Sequence, residues 1–204
     1  MLTHMKEKSP LEALFSMIAL THRFQQTQRT IYATGEDRFE NDAEHSFQLA
    51  LIAWYLIEKQ KLPLNKEKVL LYALCHDLPE AYTGDKSFYR TKEEDTSKKE
   101  LEKEAVKKLL NDHPDFPSLS ATITHYEKML DEESKFVYAL DKILPILNIK
   151  LDEGRSWEHL KISFEMFYEG KRDKVTHDPT IQEYFLLIVA LLKEHPHLFY
   201  QKTT

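Results

Sequence analysis

Nearly every periodic segment of the chain repeats its apolar residues at spacings of three and four, the signature of helices that bury one face. The pattern predicts an all-α fold. The first helix opens at Ser9-Pro10-Leu11-Glu12, where Ser caps, Pro fits the first turn and Glu completes a capping box; its apolar face holds Leu11, Leu14, Phe15 and Ile18. Residues 29–39 read as a loop. Asn41-Asp42-Ala43-Glu44 then repeats the cap pattern before a largely buried run over 45–57, in which Trp54, Tyr55 and Leu56 are expected to be core. A third helix begins near Asn65 and must kink or end near Pro79, which lacks a backbone donor; Gly84 marks a turn. Further helices are predicted over 97–110, 118–129, 133–150, 156–169 and 180–195. The polar stretch 87–96 is the expected mobile segment, a candidate lid.

Composition narrows this picture. The 204 residues, 42% hydrophobic and 30% charged, suit one domain over 1–204 with a core of about 9–195. Only four glycines are present, so neither a dinucleotide fingerprint nor a P-loop can be written, and a bound phosphate needs another device. The single Cys75 excludes a disulfide framework and a cysteine zinc cluster and fits a reducing, cytoplasmic setting. The longest apolar run, 185–192, is far short of the roughly 20 residues of a membrane span. A formal net charge of −6 with scattered Lys and Arg argues against binding a nucleic acid polymer.

The chemistry concentrates at His76-Asp77, at the end of an otherwise apolar helix. An ionised Asp beside an imidazole in a core costs several kcal/mol unless it is paired or holds a cation. His45, in the first turn of the second helix, and Asp141, inside the apolar run FVYALDKILPIL, can face the same interior. Two imidazoles and two carboxylates form a mixed nitrogen and oxygen set that suits Mn, Co, Mg, Fe, Ni or Zn and leaves coordination positions open, as catalysis requires.

His45, His76-Asp77 and Asp141, within AEHSFQLALIAWYL, LLYALCHDLPEAYTGD and EESKFVYALDKI, resemble the HD-domain superfamily of metal-dependent phosphohydrolases. Within it, the small bacterial 5′-deoxynucleotidases are the most similar. The resemblance implies a helical bundle, a divalent cation held by those four residues, and release of phosphate from (deoxy)ribonucleoside 5′-monophosphates by a metal-activated water. It further implies that Glu80, in the HDxxE position, and Asp85, in TGD, are catalytic. Arg23 matches an arginine that reaches the phosphate, and Phe24 stands where deoxynucleotidases have Trp beside the sugar, which leaves the sugar preference open. Glu127 matches an acid before the EExKFV segment, and Lys86 follows TGD as a second cation. A homodimer is implied as well, with the apolar C-terminal helix as one candidate interface. Two alternatives remain at this stage: hydrolysis of a guanosine 3′-pyrophosphate alarmone, against which Ala81 stands after Glu80, and a non-catalytic module that only holds a metal or ligand.

Overall fold

The structure, a computed structural model, describes residues 9–85 and 92–201. It is a helical bundle, and the local signals read from the sequence account for most helix starts. Helix α1 (Pro10–Gln26) is capped by Ser9 in a reciprocal box with Glu12. Helix α2 (Asp42–Gln60) is capped in the same way by Asn41 and Glu44. Asn65 caps α3 (Lys66–Cys75). That helix stops before Pro79, and residues 76–79 form turns leading into the short α4 (Glu80–Thr83), closed by Gly84 in a positive-φ conformation at 73°.

Helix α5 (Lys92–Asp112) starts earlier than the pattern predicts, so within the expected mobile stretch the part from Lys92 is already helical. Residues 87–91 lie outside the described residues. Helix α6 (Pro117–Glu127) follows. Asp131, boxed with Ser134, then caps α7 (Glu132–Leu151), the central helix. The predicted helix over 156–169 is in fact two, α8 (Arg155–His159) and α9 (Phe164–Lys171). Lys161 adopts a positive φ of 55° and Ser163 starts a new cap on the Met166 amide, a break that three-four periodicity runs straight through. Helix α10 (Pro179–Lys193), capped by Asp178, completes the set.

The stretch expected to be a loop is an antiparallel ribbon of β1 (Gln28–Tyr32) and β2 (Phe39–Asn41), turned through Gly35 at φ 77°. Only Ile31 and Glu40 of the two strands are buried, so the strands are too short to show an alternating pattern. The main core gathers α2, α3, α7, α9 and α10 around buried Leu49, Val69, Phe136, Phe167 and Phe185. A second cluster, with Leu20, Cys75, Leu109, Leu119 and Ile123, joins α1, α3, α5 and α6.

Two expectations about burial are corrected. Leu11, Leu14, Phe15 and Ile18 are 41–61% exposed, because α1 turns Leu20 and Phe24 inward instead. Trp54 and Tyr55 are half exposed while Leu56 is buried, since α2 packs its Leu49–Ala53–Leu56 face on the core. No helix among the described residues is long and apolar enough to cross a membrane.

Candidate metal centre

Helices α2, α3 and α7 pack against one another, and each delivers part of one cluster. His45 lies one turn into α2, His76 and Asp77 follow the last turn of α3, and Asp141 sits midway along α7. One ligand atom from each of these four residues lies within 4.8 Å of all the others. His45 Nε2 is 2.9 Å from Asp141 Oδ1, and His76 Nε2 is 3.0 Å from Asp77 Oδ2 and 3.8 Å from Asp141 Oδ1. The His76 backbone N–H donates to the Tyr72 carbonyl, which fixes where the ring leaves the helix. Pro145, four residues beyond Asp141 in α7, has no N–H to bond the Asp141 carbonyl, a local break in the helix ladder beside the cluster.

The donor set fits a divalent cation. His76 Nδ1 is 3.0 Å from the Ala73 carbonyl, which turns Nε2 into the cluster; in the metal-free protein burial opposes the imidazolium but Asp77 and Asp141 raise it, and a bound cation would take the place of that proton on Nε2. Burial, reinforced by the Arg29 charge, lowers His45 to about 4, so its imidazole is neutral, the form that ligates metals. Burial works against ionised Asp77, but the neighbouring His76 holds its carboxyl well below the usual range; for Asp141 the burial is offset chiefly by Lys142 and His45.

A cavity of about 140 Å³ opens beside the cluster. Asp77, Glu80, Asp85 and Asp141 face it together with Arg29, Lys142 and Lys171, and its apolar lining includes Trp157, Leu160 and Phe167. Arg29 Nη1 donates to Asp77 Oδ2 at 3.1 Å and Asp42 Oδ1 at 3.2 Å, while Nε lies 3.3 Å from Glu40 Oε2. Glu80 is pushed well above an ordinary carboxyl by burial and then by the charges of Asp77, Asp85 and Asp42. Burial also lowers Lys171 to about 7, with the nearby Lys142 charge acting in the same direction.

The structure thus brings His45, His76, Asp77, Asp141, Glu80 and Asp85 to one place. Three other residues singled out in the sequence do not line the cavity. Arg23, in the last turn of α1, stacks on Tyr82 with its guanidinium 4.5 Å from the ring centre. Phe24 is a buried packing residue. Glu127 is exposed at the end of α6, whereas its neighbour Tyr126 turns inward with its ring edge-on to His76 at 5.9 Å. Lys86 lies outside the described residues. The cations missed by sequence reasoning are Arg29, Lys142 and Lys171. Lys142 had a signal, as the lysine following Asp141; Arg29 lay in a segment read as loop, and Lys171 reaches the cavity only through the tertiary packing of α9.

A helical bundle in which three helices bring two His and two Asp side chains to one point has the donor set of a metal centre. Residues 21–182 match the HD domain family model, and the chain belongs to that family. It is similar to the curated human protein 5′-deoxynucleotidase HDDC2, 29% identical over 149 residues that make up 71% of this chain and 69% of that one. The mouse protein of the same name matches at 29% over 147 residues, 70% of each chain. Among solved structures, a predicted metal-dependent phosphohydrolase from Magnetospirillum magnetotacticum MS-1 superposes with a TM-score of 0.78 at 25% identity, covering 94% of this chain and all 100% of that one.

Proposed function

We propose that this chain is a divalent-metal-dependent phosphomonoesterase that releases inorganic phosphate from nucleoside 5′-monophosphates, deoxy forms included. One observation carries the reading: the four-residue His and Asp cluster meets, through Asp77 and Asp141, a cavity that Arg29, Lys142, Lys171, Glu80 and Asp85 also line. The names of the relatives point the same way. When bound, the cation supplies Lewis acidity toward a phosphoryl oxygen and makes a nearby water more acidic.

The rest is assigned to side chains. Arg29, held between Asp42, Asp77 and Glu40, presents its fork to phosphate oxygens in place of the glycine-rich loop this chain cannot make. Lys142, anchored on Asp141, adds positive charge to the cavity, and Lys171, lowered to about 7, adds to it when protonated. In the hydrolysis a water oxygen forms the new P–O bond as the bond to the 5′ oxygen breaks. Asp85 accepts a proton from the attacking water, and Glu80, kept protonated by burial, returns one to the leaving oxygen. Two carboxyls with different environments divide the acid and base work. The apolar lining at Trp157 and Phe167 receives the uncharged part of the substrate. The working unit is proposed to be a homodimer.

The experiment is phosphate release from a panel of ribo- and deoxyribonucleoside 5′-monophosphates and an alarmone, with Mn²⁺, Co²⁺ or Mg²⁺. Turnover of monophosphates that disappears in His76→Ala and Asp77→Asn is expected. No metal-dependent release from any monophosphate would overturn the reading.

A further inference from the structure

The ring of His45 has two nitrogens, and only one of them faces the cluster. Nε2 is 2.9 Å from Asp141 Oδ1, which leaves Nδ1 on the other side, buried and without a hydrogen-bond partner among the described residues. Glu40 Oε2 lies 3.9 Å from that nitrogen and is itself a buried atom without such a partner among them. Glu40 is the buried residue of β2, immediately before the Asn41 cap of α2. Its other oxygen is anchored: Oε1 accepts from Asn148 Nδ2 at 3.2 Å, and Asn148 is locked to Gln48 by a reciprocal pair of amide bonds of 2.7 and 3.0 Å. Arg29 Nε stands within ion-pair reach of Oε2 at 3.3 Å. A buried carboxylate oxygen left unanswered costs free energy, and the atom placed to answer this one is a ring nitrogen of a metal ligand.

Which ring nitrogen carries the proton decides what Glu40 can do. A neutral imidazole that donates to Asp141 through Nε2 has no N–H at Nδ1 to offer, and 3.9 Å is too long for a hydrogen bond. An imidazole that gives its Nε2 lone pair to a cation carries its proton on Nδ1 instead, and a carboxylate behind that N–H fixes the tautomer and the ring orientation and makes Nε2 the stronger donor. His76 has a neutral counterpart in the Ala73 carbonyl behind its Nδ1. We propose that Glu40 is a positioning residue of the metal centre, accepting the Nδ1–H of His45 when the cluster holds its cation. The same oxygen stands beside Arg29, so one carboxylate orients both a metal ligand and the arginine assigned to phosphate. The role rests on the cluster being a metal centre and not on which phosphate ester is hydrolysed.

The test titrates the metal-stripped full chain with Zn²⁺ against a chromophoric chelator and records long-range ¹H–¹⁵N correlations of the histidine rings. It is run at pH 8, above the value of about 7 to which burial raises Glu40 in the metal-free protein. In the Zn²⁺-loaded wild type, His45 should carry its proton on Nδ1, with that N–H further downfield than the one His76 gives to a neutral carbonyl, because a carboxylate is the stronger acceptor. Glu40→Gln keeps the shape and removes the charge; it should return the His45 N–H to the His76 range and weaken Zn²⁺ binding on the order of 10–100-fold. Arg29→Ala breaks the other contact of Glu40 Oε2 and should bind Zn²⁺ no more weakly than wild type, which separates ring positioning from a general loosening of the pocket. A His45 proton on Nε2 in the loaded wild type overturns the role, as does a Glu40→Gln affinity within about twofold of wild type or an equal loss in Arg29→Ala. Wild type that takes up no Zn²⁺ refutes the metal centre and this role together, whereas tight binding that Glu40→Gln leaves unchanged refutes the role alone. No turnover is measured, so failure of the nucleotidase reading leaves this result standing.

Discussion

At the scale of single residues, the arginine that matters is the one beside Asp77. Arg29 reaches two carboxylates of the site, whereas Arg23 is spent on Tyr82 and points toward Asp112 through that hydroxyl. Arg29→Ala is therefore expected to lower kcat/KM for nucleotide hydrolysis by about 10²–10³, the usual cost of losing a preorganised charge at a transition state. Arg23→Ala should stay within a few-fold of wild type, and steady-state kinetics of the two variants side by side would expose a reversed assignment. A second expectation concerns pH. Asp42 is raised from 3.8 to about 8 by burial and by the Asp77 charge, and Glu40 from 4.5 to about 7 mainly by burial. Between roughly pH 4 and 8 the folded, metal-free protein thus holds protons that the unfolded chain has released. Stability from these groups is fully present below about pH 4 and is lost as pH rises through 7 to 8. Asp42→Asn removes one of these titrations, so in metal-free protein its Tm should gain on wild type progressively from pH 4.5 to 8. A pH-independent difference would mean that Asp42 is ionised throughout.

At the scale of elements, the joint between α8 and the C-terminal segment is the least forgiving. Gly154, at φ 76°, precedes α8, and a Cβ built there would stand 2.1 Å from the Leu198 carbonyl oxygen and 2.7 Å from its Cα. Backbone cannot yield as a flexible side chain would, so Gly154→Ala is expected to cost on the order of 3 kcal/mol. Thermal or urea unfolding measures it, and a loss under about 1 kcal/mol would show that the 196–201 segment moves aside. Such joints were not legible in the sequence, whereas the caps were. Ser9, Asn41, Asn65 and the ends at Pro79 and Gly84 were readable because capping is decided by a few neighbouring residues. The ribbon of β1 and β2 and the break before α9 were not, since the first is short and buries only Ile31 and Glu40 and the second depends on a positive φ at Lys161. The same division applies to the site. His45, His76, Asp77 and Asp141 could be found because charged groups in apolar helical runs are costly and so conspicuous. Arg29 and Lys171 stand on short or split elements whose positions only tertiary packing settles.

At the scale of the whole molecule, the misread face of α1 acquires a use. Its Leu11, Leu14, Phe15 and Ile18 are exposed next to α2, which shows Phe47, Leu51, Trp54 and Tyr55, and α2 packs in turn on α3, which shows Leu71 and Leu74. Ten large apolar side chains, each about half exposed, amount to on the order of 1,000 Å² if a side chain offers about 200 Å². A typical monomer's largest apolar patch is about 300–600 Å², and a standard stable interface takes about 800 Å² from each partner. The area therefore matches one face of a two-fold dimer, which is the proposed working unit. The C-terminal helix, the interface considered from sequence, is a weaker candidate: Ile181, Phe185, Ile188, Val189 and Leu192 of α10 close the core, and only Leu186, Leu187 and Leu191 remain on its outer side. Light scattering after size exclusion should give twice the chain mass of 24.2 kDa for wild type at micromolar concentration. Phe15→Glu combined with Trp54→Glu places charges in the middle of the patch without touching the core, so it should give the single-chain mass with an unchanged circular dichroism spectrum. Leu187→Glu, on α10, should remain dimeric. A monomeric wild type would refute the dimer, and a monomeric Leu187→Glu protein beside a dimeric double variant would move the interface to α10.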